Sequence, residues 1–328
     1  MTPPSTLRTT EPASIYLIAV PTPFLANKAP DLRAVEAATR AIAGVIRRGD
    51  LVILESTSPP RTTTNVVGPL IESVTGLKAG VEFRLAYCPE RVLPGQILAE
   101  LRANDRIIGG IDAASTGAAS AFYSRFVTGE LLPSDATTAE TVKLVENAFR
   151  DVNIAFANEV SLIAHTLGVD AAAVIRLANR HPRVNVLQPG VGVGGHCIGV
   201  DPWFLVDAAP ADANLIRTAR KVNEYKREWV AERILEAALA IGPTCSIGLL
   251  GATYKPDVAD IRESPALWIA QEVTRRHQGP VVVCEPHRES LEGVTLATLT
   301  DAVTCDLVVV LVRHKEFAGI AGSGPRFI

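Results

Sequence analysis

The sequence lacks nearly every feature that marks a specialised environment. It has no Cys-x-x-Cys pair, and its five cysteines, Cys88, Cys197, Cys245, Cys284 and Cys305, are scattered and odd in number. That pattern indicates neither a disulfide framework nor a thiolate metal site, so no metal is expected. No uninterrupted apolar run approaches the ~18–20 residues that span a bilayer. The stretch from Met1 to Pro12 is polar and has no signal-peptide core, which argues against export and for a reducing cytoplasm. There is no excess of one charge: 32 basic against 35 acidic side chains leave a net of −3. Nothing in that balance favours nucleic acid or an anionic membrane as a partner. Short-period repeats and low-complexity tracts are absent too.

What is present is an ordinary globular chain. Its 328 residues are 48% hydrophobic and 20% charged, enough for about two domains with cores of their own. Residues 14–20 (SIYLIAV) form a short apolar run closed by Pro21 and Pro23, the pattern of a buried parallel strand. Residues 32–46 have helical spacing and end before Arg47, Arg48 and Gly49, a C-terminal signature. Residues 51–55 read as the next strand, so the chain opens with strand, helix and parallel strand. From 138 to 167 there is neither Gly nor Pro, and apolar positions recur at helical spacing, which predicts one long helix. Shorter helical runs follow at 170–179 and 214–241. The end returns to strand and helix: 246–251, 265–276, 281–284 and 306–312. The grammar is α/β on both sides of a helical middle.

Gly190, Gly192 and Gly195 fit Gly-x-Gly-x-x-Gly literally. A dinucleotide loop, however, must follow a strand and open a helix, and this one follows Leu187-Gln188-Pro189 and runs into His196-Cys197. It is rejected as a pyrophosphate loop, although its glycines permit close backbone approach to a ligand. Cys88, Cys245, Cys284 and Cys305 read as small buried hydrophobes. Cys197 stands apart, next to His196 on a glycine-rich loop with Asp201 four residues on. That setting suits a nucleophile, but spacing alone leaves the structural and catalytic readings equally open.

Residues 180–206 carry Arg180-His181-Pro182-Arg183-Val184-Asn185, then the glycine run to Cys197, then Asp201-Pro202-Trp203-Phe204. This segment resembles the catalytic stretch of nucleotide-sugar 6-dehydrogenases, most of all those acting on UDP-N-acetylmannosamine. Val20-Pro21-Thr22-Pro23, Glu55-Ser56-Thr57-Ser58-Pro59, Cys88-Pro89-Glu90-Arg91, the run from Glu140 to Asn147, and Lys255-Pro256-Asp257 through Arg262-Glu263-Ser264-Pro265 stand in the family's order. Any one is weak, and together they cover nearly the whole chain. The resemblance implies two Rossmann-like domains, the first truncated, joined by a helical central domain. The boundaries expected are 1–135 for NAD binding, 136–242 for the central dimerisation domain with the cysteine loop, and 243–328 for UDP binding.

The resemblance further implies oxidation of a UDP-sugar C6 alcohol to the carboxylate, with NAD as the hydride acceptor, in a cytoplasmic homodimer serving surface polysaccharide synthesis. Cys197 would trap the intermediate aldehyde as a thiohemiacetal and carry it on as a thioester. Lys143 and Asn147, four apart on one helical face, would handle the proton and the oxyanion; otherwise they are an ordinary solvated surface. Glu90 would activate the hydrolytic water. Asp201 would steer water or orient the lysine, its plainer reading being a turn residue before proline. Arg91, Val92, Arg150, His181, Arg183, Gly194, Tyr254 and Lys255 are the further substrate contacts implied, with Arg183 suited to a phosphate or carboxylate. Thr22, Thr57 and Arg262 would face the cofactor; as a bare sequence feature, a threonine after a strand is only a local cap.

Three departures matter. Residues 14–20 match a strand that the family places after a first strand, glycine loop and acidic residue. The opening βαβ unit and the closing strand, sought in residues 322–328, are therefore expected to be missing, with weak or no NAD binding as the consequence. Arg61 stands where the family has glycine. Val200 replaces a lysine of the glucose-type members, which points toward N-acetylated sugars. The rival readings are an inactive UDP-sugar-binding fragment, a UDP-N-acetylglucosamine 6-dehydrogenase and a 6-phosphogluconate-type enzyme that needs no cysteine.

Overall fold

The computed structural model describes residues 11–92 and 97–320; the expectation about residues 322–328 falls outside them. The chain divides into two compact units, Met1–Asn147 with Asp201–Ala213, and Ala148–Val200 with Asn214–Ile328. Among the described residues no helix is long and apolar enough to cross a membrane.

The first unit is built on a five-stranded sheet: β1 (Ile15–Ile18), β2 (Leu51–Leu54), β3 (Arg84–Tyr87), β4 (Arg106–Gly110) and β5 (Leu131–Asp135), in that order. Neighbours are parallel except β3 and β4, which run antiparallel. All four residues of β2 are buried, as expected for an inner strand covered on both faces. The strand period of two divides its side chains. Val52 and Leu54 join Ile18, Leu85 and Tyr87 beneath α1 (Arg33–Ala43), which contributes Val35 and Ile42. Leu51 and Ile53 join Ala86, Cys88 and Ile108 beneath α4 (Ala113–Tyr123), which contributes Ala119 and Tyr123. Asp112 caps α4 by accepting the Ser115 amide at 2.6 Å. Between β2 and β3 a π-helical turn at residues 63–67 continues into α2 (Gly68–Thr75), and α3 (Ile97–Ala103) precedes β4.

The glycine- and proline-free stretch is α5 (Ala136–Leu167), and the boundary between the units falls within it. The second unit contains α6 (Ala171–Ala178), capped by Asp170, while α7 (Asp201–Ala208) belongs to the first unit. The second unit then continues with α8 (Asn214–Ile241), β6 (Ile247–Leu250), α9 (Pro265–Arg276), β7 (Val281–Cys284), α10 (Leu299–Val303) and β8 (Leu307–Val310). Its parallel sheet has the order β7-β6-β8. Ile234 and Ala238 of α8 and Ile269 and Val273 of α9 pack on Ile247, Leu249, Val283 and Val309. Each sheet is part of an α/β unit, and the long helices α5 and α8 fall between the two sheets in chain order.

Candidate active site

In the first unit the loops after β1 and β2 are tied together. The Ser56 hydroxyl donates to Val20 O and accepts its amide, both at 2.8 Å. Thr22 Oγ1 donates to Thr57 O at 2.5 Å. Ligands of open α/β sheets bind at the carboxyl ends of such parallel strands, so the two threonines lie where a cofactor edge would.

On the N-terminal part of α5, Asn147 donates from Nδ2 to Asp201 Oδ2 at 2.5 Å. Asp201 is only 3% exposed. Burial pushes its carboxyl up to about 6, against the opposing pull of the Asn147 hydrogen bond and the Lys143 charge. Asp201 is thus no turn residue. It opens α7 with Pro202 behind it, where proline's missing amide costs no helical hydrogen bond, and its carboxylate joins the lysine–asparagine face of α5. Tyr87 is buried near the Asp201 and Glu140 carboxylates, and burial drives its phenol far up.

After β3, Glu90 Oε1 accepts the Arg91 amide at 2.6 Å, and Glu90 Oε2 lies 3.5 Å from Arg106 Nη2. Arg91 Nε reaches Glu146 Oε1 on α5 at 3.4 Å, which fastens the Glu90–Arg91 loop to the helix of Lys143 and Asn147. Val92 is half-buried beside it. Arg106, 4% exposed, also faces Glu55 at 3.9 Å and covers the Tyr123 ring at 4.9 Å. The Tyr123 hydroxyl donates to Glu55, whose carboxyl is raised by burial. Cys88 is buried in this group, its thiol pushed up to about 11, which suits a structural cysteine.

In the second unit, none of the five cysteines being disulfide-bonded, Cys197 alone of them is half-buried rather than buried. Its loop lies on residues 254–263. The Gly195 amide donates to Arg262 O at 3.0 Å, with φ +85° at Gly195. A Cβ on Gly194 would come within 2.4 Å of Glu263 O, so glycine is required for this approach. Arg262 forks onto Asp260, with Nη2–Oδ2 at 2.6 Å and Nε–Oδ1 at 3.0 Å. The guanidinium is raised above its ordinary value, chiefly by its hydrogen bonds to Asp260 and to a lesser degree by the nearby Cys197. His196 Nδ1 lies 4.0 Å from Asp260 Oδ2. Tyr254 is half-buried against Gly195, with its phenol raised chiefly by burial. Lys255 Nζ stands 5.7 Å from the Tyr254 ring.

His181 and Arg183 are exposed on the loop after α6, as is Arg150 on α5. Asn179 staples that loop by pairing with Val186 N and O at 2.7 and 2.9 Å. The glycine segment is anchored by Gly190 N to Asn158 at 2.9 Å, Asn158 to Asn223 at 2.8 Å, and Asn223 to Asp151 at 2.8 Å. Arg220 pairs with Asp151 at 2.7 Å. Sequence reasoning missed Tyr87, Arg106, Tyr123, Asp260 and this Asn–Asp chain. Only Asp260 carried a signal, lying within the quoted 255–265 stretch.

Comparison with known proteins gives the same class. The UDP-glucose/GDP-mannose dehydrogenase family matches in three models: its NAD binding domain over residues 5–127, central domain over 137–225 and UDP binding domain over 248–324. The chain is 52% identical to an NDP-N-acetyl-D-galactosaminuronic acid dehydrogenase from Ralstonia solanacearum, covering 94% of this chain and 75% of that one. It is 49% identical to a UDP-N-acetyl-D-mannosamine dehydrogenase from Salmonella typhimurium, covering 95% and 79%. The solved UDP-N-acetyl-mannosamine dehydrogenase Cap5O from S. aureus is 41% identical with a TM-score of 0.86, covering 94% and 74%. The chain belongs to the UDP-glucose/GDP-mannose dehydrogenase family. It is an NAD-dependent UDP-sugar dehydrogenase.

Thr22 and Thr57, the residues that would hold NAD in this unit, lie on the bonded loops after β1 and β2. Among the described residues, no glycine-rich loop of the pyrophosphate-binding kind joins a strand to a helix.

Proposed function

We propose that the chain oxidises UDP-N-acetyl-D-mannosamine to UDP-N-acetyl-D-mannosaminuronate through covalent catalysis at Cys197. The balance is RCH2OH + H2O + 2 NAD+ → RCOO− + 2 NADH + 3 H+, and NAD supplies the two hydride acceptances. Lys143 takes the C6 hydroxyl proton as the aldehyde forms, and Asn147 donates to its oxygen. Asp201, buried against both, holds their face in place. The Cys197 thiolate adds to the aldehyde carbon, and the thiohemiacetal becomes a thioester on loss of the second hydride. Glu90 takes a proton from the water that hydrolyses it.

Arg91, Val92, Arg150, His181, Arg183, Gly194, Tyr254 and Lys255 bind the UDP-sugar. Thr22, Thr57 and Arg262 hold the cofactor. The working form is a cytoplasmic homodimer: Phe149, Phe156, Ile163 and Leu167 recur along α5 at spacings that keep them near one face, all exposed, and such a stripe calls for a partner surface. The product serves surface polysaccharide synthesis.

The observation that carries this reading is Cys197 itself, half-buried on a glycine loop whose Gly195 is pressed against Tyr254. The test is the rate at which iodoacetamide alkylates each cysteine of the full chain, read by peptide mass spectrometry. Cys197 reacts first, and UDP-N-acetylmannosamine slows it. Equal reaction at all five positions, or no protection, refutes the reading. The 52% identical relative, named an NDP-N-acetyl-D-galactosaminuronic acid dehydrogenase, favours an N-acetylgalactosamine-type nucleotide sugar as a second substrate reading, and stronger protection by UDP-N-acetylgalactosamine would select it.

A further inference from the structure

The loops that follow β6, β7 and β8 bring together Asp257, His287, His314 and Glu316. One ligand-type atom from each lies within 4.8 Å of all the others. His314 is fully buried and its tautomer is fixed by its partners. The Asp257 amide donates to Nδ1 at 2.9 Å, so Nδ1 holds the lone pair and Nε2 the hydrogen. Nε2 then donates to Glu285 Oε2 at 3.1 Å. A buried carboxylate bonded to the far nitrogen of an imidazole is the arrangement that orients metal-binding histidines. Glu285 also accepts the His287 backbone amide, at 3.0 Å, so one carboxylate positions both histidines. The His287 and His314 rings lie 4.7 Å apart. His287 Nε2 is shielded from solvent, has no hydrogen-bond partner, and sits 3.6 Å from Glu316 Oε2.

We propose that Asp257, His287, His314 and Glu316 bind a divalent transition metal, zinc by preference. Two imidazole nitrogens and two carboxylate oxygens suit tetrahedral zinc better than the all-oxygen shells of calcium or magnesium. The ion takes the Nδ1 lone pair now given to the Asp257 amide. Asp257 is exposed; its Oδ1, 3.9 Å from Nδ1, accepts the Lys315 amide at 3.0 Å and keeps a lone pair for the same ion, for which the Asp257 peptide must turn from Nδ1. No cysteine takes part, which is why the cysteine pattern is silent about the site. The metal pins the loop that carries Tyr254 and Lys255.

The test is titration of the chelator-treated full chain with zinc chloride and, separately, cobalt chloride. The expected result is saturable binding of a single ion per chain, with cobalt ligand-field bands and no thiolate charge-transfer band. H287A gives up an imidazole that stands beside Glu316 and the His314 ring, so the melting temperature of the metal-free variant is measured beside its zinc affinity, which falls at least about tenfold in a chain that stays folded. E285Q weakens it about 10- to 100-fold through the orientation of His314. Absence of saturable binding, a thiolate spectrum, or unaltered affinity in H287A would overturn the proposal, leaving His287 and Glu316 as a simple ion pair.

Discussion

The side-chain amide of Asn147 donates to the buried carboxylate of Asp201 across 54 residues of sequence. The bond joins α5 to the first residue of α7 and fixes the face that presents Lys143. Losing it leaves a buried acceptor short of a donor, which costs about 1–3 kcal/mol. N147A should therefore lower the melting temperature as well as slow turnover, whereas K143A should slow turnover with little change in melting. Differential scanning calorimetry beside steady-state NADH formation separates the two.

The Asp201 carboxyl, raised to about 6, gives a signed pH dependence. Between pH 3.8 and about 6 the folded chain binds more protons at this group than the unfolded chain does. Its ionisation therefore costs stability as pH rises through that window. D201N removes this slope, measured as the difference in unfolding free energy between pH 4 and pH 7. Activity runs the other way. Below about pH 6 the protonated acid no longer accepts the Asn147 amide as a carboxylate does, so the wild-type rate falls and the D201N profile loses that limb.

Arg61 has φ +74°, the left-handed region that costs a non-glycine residue about 1–2 kcal/mol. Its amide nevertheless donates to Glu140 Oε2 at 2.5 Å, which holds the turn in place. Glycine keeps that amide and relieves the side-chain strain. R61G should raise stability by about 1 kcal/mol in urea denaturation, with an unchanged slope.

G194A places a methyl group against a backbone oxygen that cannot move cheaply. The cysteine loop must lift from residues 254–263, and UDP-sugar protection of Cys197 against alkylation should be lost while global unfolding shifts little. Isothermal titration with UDP alone checks the same displacement.

Much of this was legible in the sequence where local signals were strong. α8 and α9 match the expected 214–241 and 265–276, the first a long run without glycine or proline and the second opened by Ser264-Pro265. The early strands and α5 fall within a few residues of expectation. β5 was not legible: Leu-Leu-Pro-Ser-Asp has no strand period, and Pro133 is tolerated because β5 is a sheet edge. Lys143 and Asn147 could be paired from helical spacing. Their link to Asp201, the burial of Arg106 among Glu55, Glu90 and Tyr123, and the Asp260 partner of His196 are tertiary, and no spacing rule reaches them.

Covalent capture at Cys197 is tested most directly by measuring uronate formed from UDP-N-acetylmannosamine and NAD+ by the wild-type chain and by C197S. Serine lacks a thiolate at neutral pH and cannot form the thioester, so uronate formation should fall by about a thousandfold or more while UDP-sugar binding persists. Uronate accumulating at the wild-type rate in C197S would contradict the account.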